Sequence, residues 1–315
     1  DSPLTKPETR QRVLQAIDEL DYRRNSLARG LKSNQSRLIG YGWHNAEDPI
    51  RRNALLDRFL YDIAQAAEAR GYHILTFAQA DEHSVASYEE LIQAARVDGF
   101  VLSDVAYDDA RVAFLLAARV PFVTFGRING GDFPSVDIDG RLGMRLVVEH
   151  FVALGHERIA LLNWPPGMRV GDSRTQGYQD GLIAAGISPR EEWIGRTRNT
   201  LEESLLATRQ LLALRPRPTA IVCANDVMAL GVVRSLEQAG LRVGDAIAVA
   251  GYDDTPVAEL LGLTSVRQPI DVAAARAIDL LLSEIGGSPA AVRSVLLQPS
   301  LMVRASSGAA RERNR

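Results

Sequence analysis

From Leu38 onward, short runs of β-branched and aromatic residues alternate with longer stretches in which apolar residues return every three or four positions. The β-rich runs are Leu38–Trp43, His73–Phe77, Gly99–Ser103, Pro121–Phe125, Arg158–Asn163, Thr219–Cys223 and Ile247–Gly251. Between them the helical pattern covers residues 54–70, 84–96, 173–186, 201–214, 225–239 and 270–285. Strand and helix in strict alternation predict an α/β protein with parallel sheets covered by helices on both faces. The stretch is too long for one sheet, so two doubly wound parallel-sheet lobes are expected. The strand Ser135–Asp139 predicts a first crossing between them and Gln268-Pro269 a second. One lobe then takes residues 38–139 plus 268–297, and the other takes 140–267 plus 298–304. The small, polar stretch 305–315 reads as a disordered tail.

Upstream of Leu38 the pattern changes. Thr5 and Glu8 form a T-x-x-E capping box with Pro7 in the first turn. Val13, Leu14, Ile17 and Leu20 follow at helical spacing, which predicts a helix over 6–20. Alone it buries too little to fold. Residues 1–24 therefore read as the remnant of a small helical headpiece whose other helices lie before residue 1. Asn25 and Ser26 are good N-caps for a second helix over Ser26–Leu31, within a hinge and linker at 25–37. Six residues including Gly30 are too few for an isolated helix, so this one is expected to form only against a partner.

Charge sharpens that expectation. Residues 22–37 hold five Lys/Arg and no Asp/Glu, whereas the whole chain has 36 basic and 39 acidic side chains. A positive arm on a net-negative body points to a polyanion. Leu27-Ala28 and Leu31 lie inside the positive charge, where phosphate binding alone has no use for them. A wedge entering a DNA minor groove does. The single cysteine, Cys223, excludes an internal disulfide and fits the cytoplasm. No run approaches the length of a membrane span, so no membrane partner is expected.

Enzyme motifs fail one by one. Gly40-Tyr41-Gly42 lacks the third glycine of a dinucleotide loop, and no phosphate loop or nucleophile elbow is present. The five histidines never stand four apart on a helix, and one cysteine cannot build a thiolate zinc site. No catalytic residue, metal or cofactor is expected.

A binding site reads better. In open α/β sheets ligands sit beyond the carboxyl ends of the strands. There the chain places His44-Asn45, Ser103-Asp104, Gly126-Arg127, Asn225-Asp226 and Asp253-Asp254, and Arg174 opens a helix after Asn163. Amides, carboxylates and guanidiniums suit a neutral polyhydroxyl ligand, and no basic cluster points to a phosphorylated one. Structural roles compete with binding at several positions. Asp226 is a candidate N-cap, as are Asp172 and Ser173 for the helix carrying Arg174, and Asp254 reads as a cap or turn residue. His150 and His156 read as structural. Trp164 and Trp43 either wall the pocket or join the core.

Taken in order, the motifs resemble the LacI/GalR family of transcriptional regulators over essentially the whole chain. They are Thr9-Arg10-x-Arg12-Val13, Asn25 to Leu31, Ser36-Arg37-Leu38-Ile39-Gly40, Leu154 to Ala160 and Arg174-x-x-Gly177-Tyr178. Pro218-Thr219-Ala220-Ile221-x-x-x-Asn225-Asp226-x-x-Ala229-Leu230-Gly231, Gly251 to Asp254 and Leu263-Thr264-Ser265-Val266-x-Gln268 complete the series. The resemblance implies a helix-turn-helix headpiece, a hinge helix, a core like periplasmic sugar-binding proteins and a homodimer. It implies operator DNA as partner, contacted in the hinge by Asn25, Ser26, Leu27, Ala28, Arg29, Leu31 and Lys32, with Leu31 as the wedge. It also implies an effector held by Arg174, Asn225, Asp253 and Gln268, with Asp139; the hydroxyl-matched side chains favour a carbohydrate, a sugar or glycoside, with a purine or other metabolite as the alternative. His44, Asp104 and Arg127 join them from the strand-end reading. The rival is a periplasmic-type sugar-binding protein, which has no use for the helix at 6–20 or the basic arm. Two positions depart from the family: Arg24 replaces a common proline, and Asn199 stands where an aromatic commonly stacks on the effector. Trp193 or Trp164 would then supply the stacking surface.

Overall fold

The computed structural model describes residues 8, 9, 11, 12, 15, 16, 35–44, 54–79, 84–127 and 131–308, with the side chain of His44 left out. Within the expected helix at 6–20, the six described residues are helical and exposed. The hinge residues 25–32 lie outside the described residues.

Two six-stranded sheets carry the rest. The first has the order β11-β5-β4-β3-β1-β2. Its strands are β1 (Leu38–His44), β2 (His73–Gln79), β3 (Gly99–Leu102), β4 (Phe122–Phe125), β5 (Ser135–Ile138) and β11 (Ser294–Leu297), all paired in parallel. The second has the order β12-β10-β9-β8-β6-β7. Its strands are β6 (Ile159–Asn163), β7 (Ile194–Arg196), β8 (Ala220–Cys223), β9 (Ala248–Tyr252), β10 (Thr264–Arg267) and β12 (Ser300–Met302). Only the β10–β12 pair among them is antiparallel.

Each sheet is covered on both faces, which explains why strands such as β3, β6, β8 and β9 are buried along their whole length. On the first sheet, α1 (Ala54–Glu68) and α9 (Ile270–Ile285) pack Phe59, Ile63, Ala277 and Leu281 against one face. On the other face, α2 (Ala86–Gln93) and α3 (Ala110–Ala118) bring Tyr88, Leu91 and Leu115. On the second sheet, α4 (Gly140–Ala153) and α5 (Arg169–Ala184) bury Val147, Phe151, Tyr178 and Leu182. Opposite them, α6 (Leu201–Ala213), α7 (Asp226–Gln238) and α8 (Pro256–Leu260) bury Leu211, Met228, Val232 and Ala258. The chain passes between the sheets after β5, at Gln268-Pro269, and again between β11 and β12. Among the described residues, no helix is long and apolar enough to cross a membrane.

Three sequence expectations need correction. Helix α5 begins at Arg169, so Arg174 lies in its second turn and does not open it. Its N-cap is Met168 with no capping side chain, so neither Asp172 nor Ser173 caps it. Ala305–Ser307 are not a disordered tail but form a 3-10 turn. The Ser306 hydroxyl accepts from Thr264 N at 2.7 Å and donates to Val249 O at 2.7 Å, and Ser307 is buried. Ser306 thus bridges the backbones at the base of β9 and β10, and Ser307 Oγ accepts from Thr264 Oγ1 at 3.0 Å. Residues 309–315 lie outside the described residues.

Candidate functional site

Strand β9 delivers Tyr252, Asp253 and Asp254 to the carboxyl end of the second sheet, and the backbone turns sharply there. Asp253 has φ 110° and Asp254 φ 50°, conformations in which aspartate is tolerated better than most residues. Asp253 Oδ1 accepts from Gln268 Nε2 at 2.7 Å, joining the β9 strand end to the second crossing. Arg174 Nη2 stands 3.9 Å from the same Asp253 oxygen, an ion pair longer than a hydrogen bond. Its guanidinium lies over the Tyr252 ring, 3.7 Å from the centroid, with the Trp164 ring 5.5 Å away. Arg174 Nη1 donates to Ala224 O, whereas Arg174 Nε and Tyr252 Oη have no protein partner among the described residues.

Burial governs the electrostatics. Loss of water pushes the Asp253 carboxyl up to about 7; Arg174 opposes the shift, the nearby Asp226 carboxylate adds to it, and the Gln268 bond opposes it. Tyr252 is pushed up to about 12, again chiefly by burial.

Asn225 belongs to the same corner, one residue after the carbonyl that holds Arg174. It is the N-cap of α7: Oδ1 accepts from Met228 N at 2.8 Å, and Nδ2 donates to Asn199 Oδ1 at 2.6 Å. Asp226 is thus not the cap. Its buried carboxylate accepts from Thr255 N, Thr255 Oγ1 and Ser265 Oγ, tying β8, β9 and β10 together, and burial raises its pKa. Asp254 is held in ion pairs with Arg267 and Arg304, both at 2.6 Å.

Asp139 caps α4, accepting from Leu142 N at 2.9 Å. The next residue, Gly140, sits against Arg174: a Cβ there would lie 3.6 Å from Arg174 Cγ. Farther along, Gly177 lets α5 press onto α4, because a Cβ at that position would run into the Arg141 carbonyl oxygen. Gly177 therefore sets how closely the helix carrying Arg174 approaches α4, whereas a side-chain carbon at Gly140 would make only ordinary contacts.

Arg174, Asp253 and Gln268 are thus brought into one cluster, with Asn225 and Asp139 adjoining it through Ala224 and Gly140. Asp104 and Arg127 make no contact with that cluster among the described residues. Asp104 is exposed with φ 51°, and Arg127 is exposed with Nε 3.3 Å from Asp137. His44 ends β1, and its side chain lies outside the described residues. Among the described residues, Tyr107 Oη donates to Asp172 at 3.1 Å and Arg169 reaches Asp137 at 3.6 Å, both across the cleft.

Of the tryptophans, Trp164 is half-buried beside Arg174, and Trp43 is exposed. Trp193 is buried in the core and lines a cavity of about 580 Å³ with His156, Arg158 and Arg190. These residues flank the starts of β6 and β7, opposite the Arg174 end, so Trp193 cannot stack on a ligand held there. His156 Nδ1 is 2.9 Å from Thr219 Oγ1, and burial lowers the pKa of His150. Tyr252, Tyr107 and Asp172 are not among the site residues that the sequence suggests, whereas Asn199 is marked there as the position of a lost stacking aromatic. Tyr252 stood inside the Gly251–Asp254 motif; the Tyr107–Asp172 contact leaves no mark at the level of spacing.

Residues 148–307 match the model of a periplasmic binding protein-like domain. The HTH-type transcriptional regulator AglR of Rhizobium meliloti (strain 1021) is 30% identical over 319 residues, covering 99% of this chain and 89% of the relative. The solved complex of the transcriptional regulator CelR with cellobiose is 29% identical with a TM-score of 0.80, covering 97% of this chain and 92% of that one. The lac repressor dimer bound to operator and an anti-inducer is 29% identical with a TM-score of 0.84, covering 98% and 92%. With this identity running the length of the chain, the protein belongs to the LacI family of helix-turn-helix transcriptional regulators.

Proposed function

We propose that the cleft binds a neutral polyhydroxyl effector, a sugar or glycoside, and that this binding controls operator DNA occupancy by a homodimer. The observation that carries the reading is the Arg174–Asp253–Gln268 cluster, whose guanidinium lies over the Tyr252 ring and near the half-buried Trp164 ring. A carboxylate, a guanidinium and an amide offer both donors and acceptors to hydroxyl groups, and the half-buried Trp164 ring suits the apolar face of a pyranose. Each cleft arginine has a carboxylate within reach, Arg174 having Asp253 and both Arg127 and Arg169 sharing Asp137, so none stands as an isolated cation. CelR in complex with cellobiose supports the ligand class.

Arg174, Asp253 and Gln268 hold the effector, with Asn225 and Asp139 in support and His44, Asp104 and Arg127 meeting it from the opposite wall. On DNA, Asn25, Ser26, Leu27, Ala28, Arg29, Leu31 and Lys32 form the hinge contacts, and Leu31 enters the minor groove. Ligand favours one lobe arrangement and so biases whether the paired hinges can dock together. The homodimer is supported by exposed Val257, Leu260 and Leu261 on and after α8, an apolar patch suited to a second copy. The operator lies in the cytoplasm, where this protein acts without catalysis.

The test is calorimetric titration of the full regulator with cellobiose, other disaccharides, monosaccharides and nucleosides, followed by operator binding with and without the ligand found. A sugar that binds and changes operator affinity is expected. Binding confined to nucleosides or phosphorylated compounds would overturn the ligand class.

A further inference from the structure

The wall contributed by the first sheet contains a buried ionic assembly that ligand recognition does not use. Arg111 is fully buried in α3, and its guanidinium is wrapped by the loop that follows β3. Nε donates to Asp109 Oδ1 at 2.9 Å, and Nη2 donates to Asp109 Oδ2 at 2.7 Å and to the carbonyls of Ser103 and Asp104 at 3.1 Å each. Asp109 also accepts from Ala106 N at 3.2 Å and Arg111 N at 3.0 Å. The loop 103–109 is therefore moored at both ends and in its middle to one buried pair. A buried pair of this kind adds little net stability but fixes geometry, because any displacement leaves a charge unpaired.

Tyr107 projects from this moored loop and reaches the other lobe, donating to Asp172 Oδ2 at 3.1 Å. Asp172 stands two residues before Arg174 on α5. Its carboxylate also accepts from Gly167 N at 3.1 and 3.2 Å, which holds the turn between Trp164 and α5. One hydroxyl thus touches the residue that places both Arg174 and the Trp164 turn.

We propose that Tyr107, held in place by the buried Asp109–Arg111 pair, is a positioning residue that ties the first lobe to the helix carrying Arg174. Lobe arrangement and effector affinity are coupled through this tie. Its relevance to the effector rests on the ligand reading above; its mechanical part does not.

The experiment uses the full regulator with spin labels at Leu116 and Leu206, which are exposed on α3 and α6, one in each lobe. Cys223 is fully buried and does not compete for label. Labelled protein is diluted with excess unlabelled protein so that pulsed electron resonance reads distances within one protomer. Without ligand, Tyr107→Phe is expected to increase the population at shifted distances about fivefold, the equivalent of one lost hydrogen bond, with the melting temperature unchanged. Arg111→Lys, or Asp109→Asn should the lysine variant not fold, is expected to reproduce that distribution. A Tyr107→Phe distribution identical to wild type would overturn the tie. A wild-type distribution in the folded Arg111 or Asp109 variant would overturn the mooring. Adding cellobiose and related sugars forms a separate arm: if none moves the wild-type distance, the ligand reading fails while the ligand-free result stands.

Discussion

The two walls of the cleft hold their polar groups in opposite ways. On the second sheet, Arg174 and Asn225 are buried, Asp253 nearly so, and each is already bonded or paired with a neighbour before any ligand arrives. On the first sheet, Asp104 and Arg127 are exposed, and the rigid polar assembly around Arg111 lies beneath the surface. The difference teaches where binding energy should reside. Desolvated, pre-oriented groups lose little entropy and little hydration when a ligand reaches them; exposed ones lose both. On the proposed reading, the second wall holds the ligand and the first closes upon it.

That contrast can be broken or sharpened by substitution. The largest effect is expected from Arg174→Ala, which leaves the Asp253 carboxylate desolvated without its ion-pair partner. Effector affinity should fall by at least about 2 kcal/mol, roughly 30-fold, as read by titration calorimetry. An affinity within threefold of wild type would mean that the second wall does not dominate.

An intermediate effect is expected from pH. Asp253 sits at about 7 in the folded protein, above the ordinary carboxylate value of 3.8. Its contribution to stability is fully present below about pH 4 and is lost as the pH rises through about 7. Asp253→Asn removes that dependence, so the variant should gain in melting temperature relative to wild type between pH 5 and pH 8. A constant difference between the two proteins would contradict the shift. In the wild type, hydroxyls donating to the carboxylate favour its charged form, so effector affinity should weaken as pH falls below about 7.

The smallest effect is expected on the first wall. Asp104→Ala and Arg127→Ala remove exposed groups, and each should change effector affinity by less than about twofold. A tenfold loss in either would move the binding energy to the wall assigned to closure.

Much of this organisation was legible in the sequence because it follows from periodicity. Alternating strand and helix patterns marked most of the elements, and the rule that ligands sit beyond strand ends led to Arg174, Asp253 and Asn225. Spacing could not distinguish a capping group from a ligand group. Asn225 and Asp226 are adjacent, and only geometry shows that Asn225 caps α7 while Asp226 ties three strands. The start of α5 was misplaced because Arg169-Val170-Gly171 carries no apolar repeat, although Arg169 pairs across the cleft. The strands β7, β10, β11 and β12 were missed as well; β7, β11 and β12 lie at sheet edges and are only partly buried, unlike the fully buried apolar runs of β3 and β8. Long-range ties such as Tyr107–Asp172, 65 residues apart, have no local signal at all.

If the buried cluster on the second sheet holds the effector, removing Arg174 must abolish most of its affinity. The most direct test is calorimetric titration of wild type and Arg174→Ala with the sugar that wild type binds, with thermal unfolding measured in parallel. The account predicts a folded variant with a cooperative transition and affinity reduced at least about 30-fold. A folded variant that binds the sugar as tightly as wild type would contradict it.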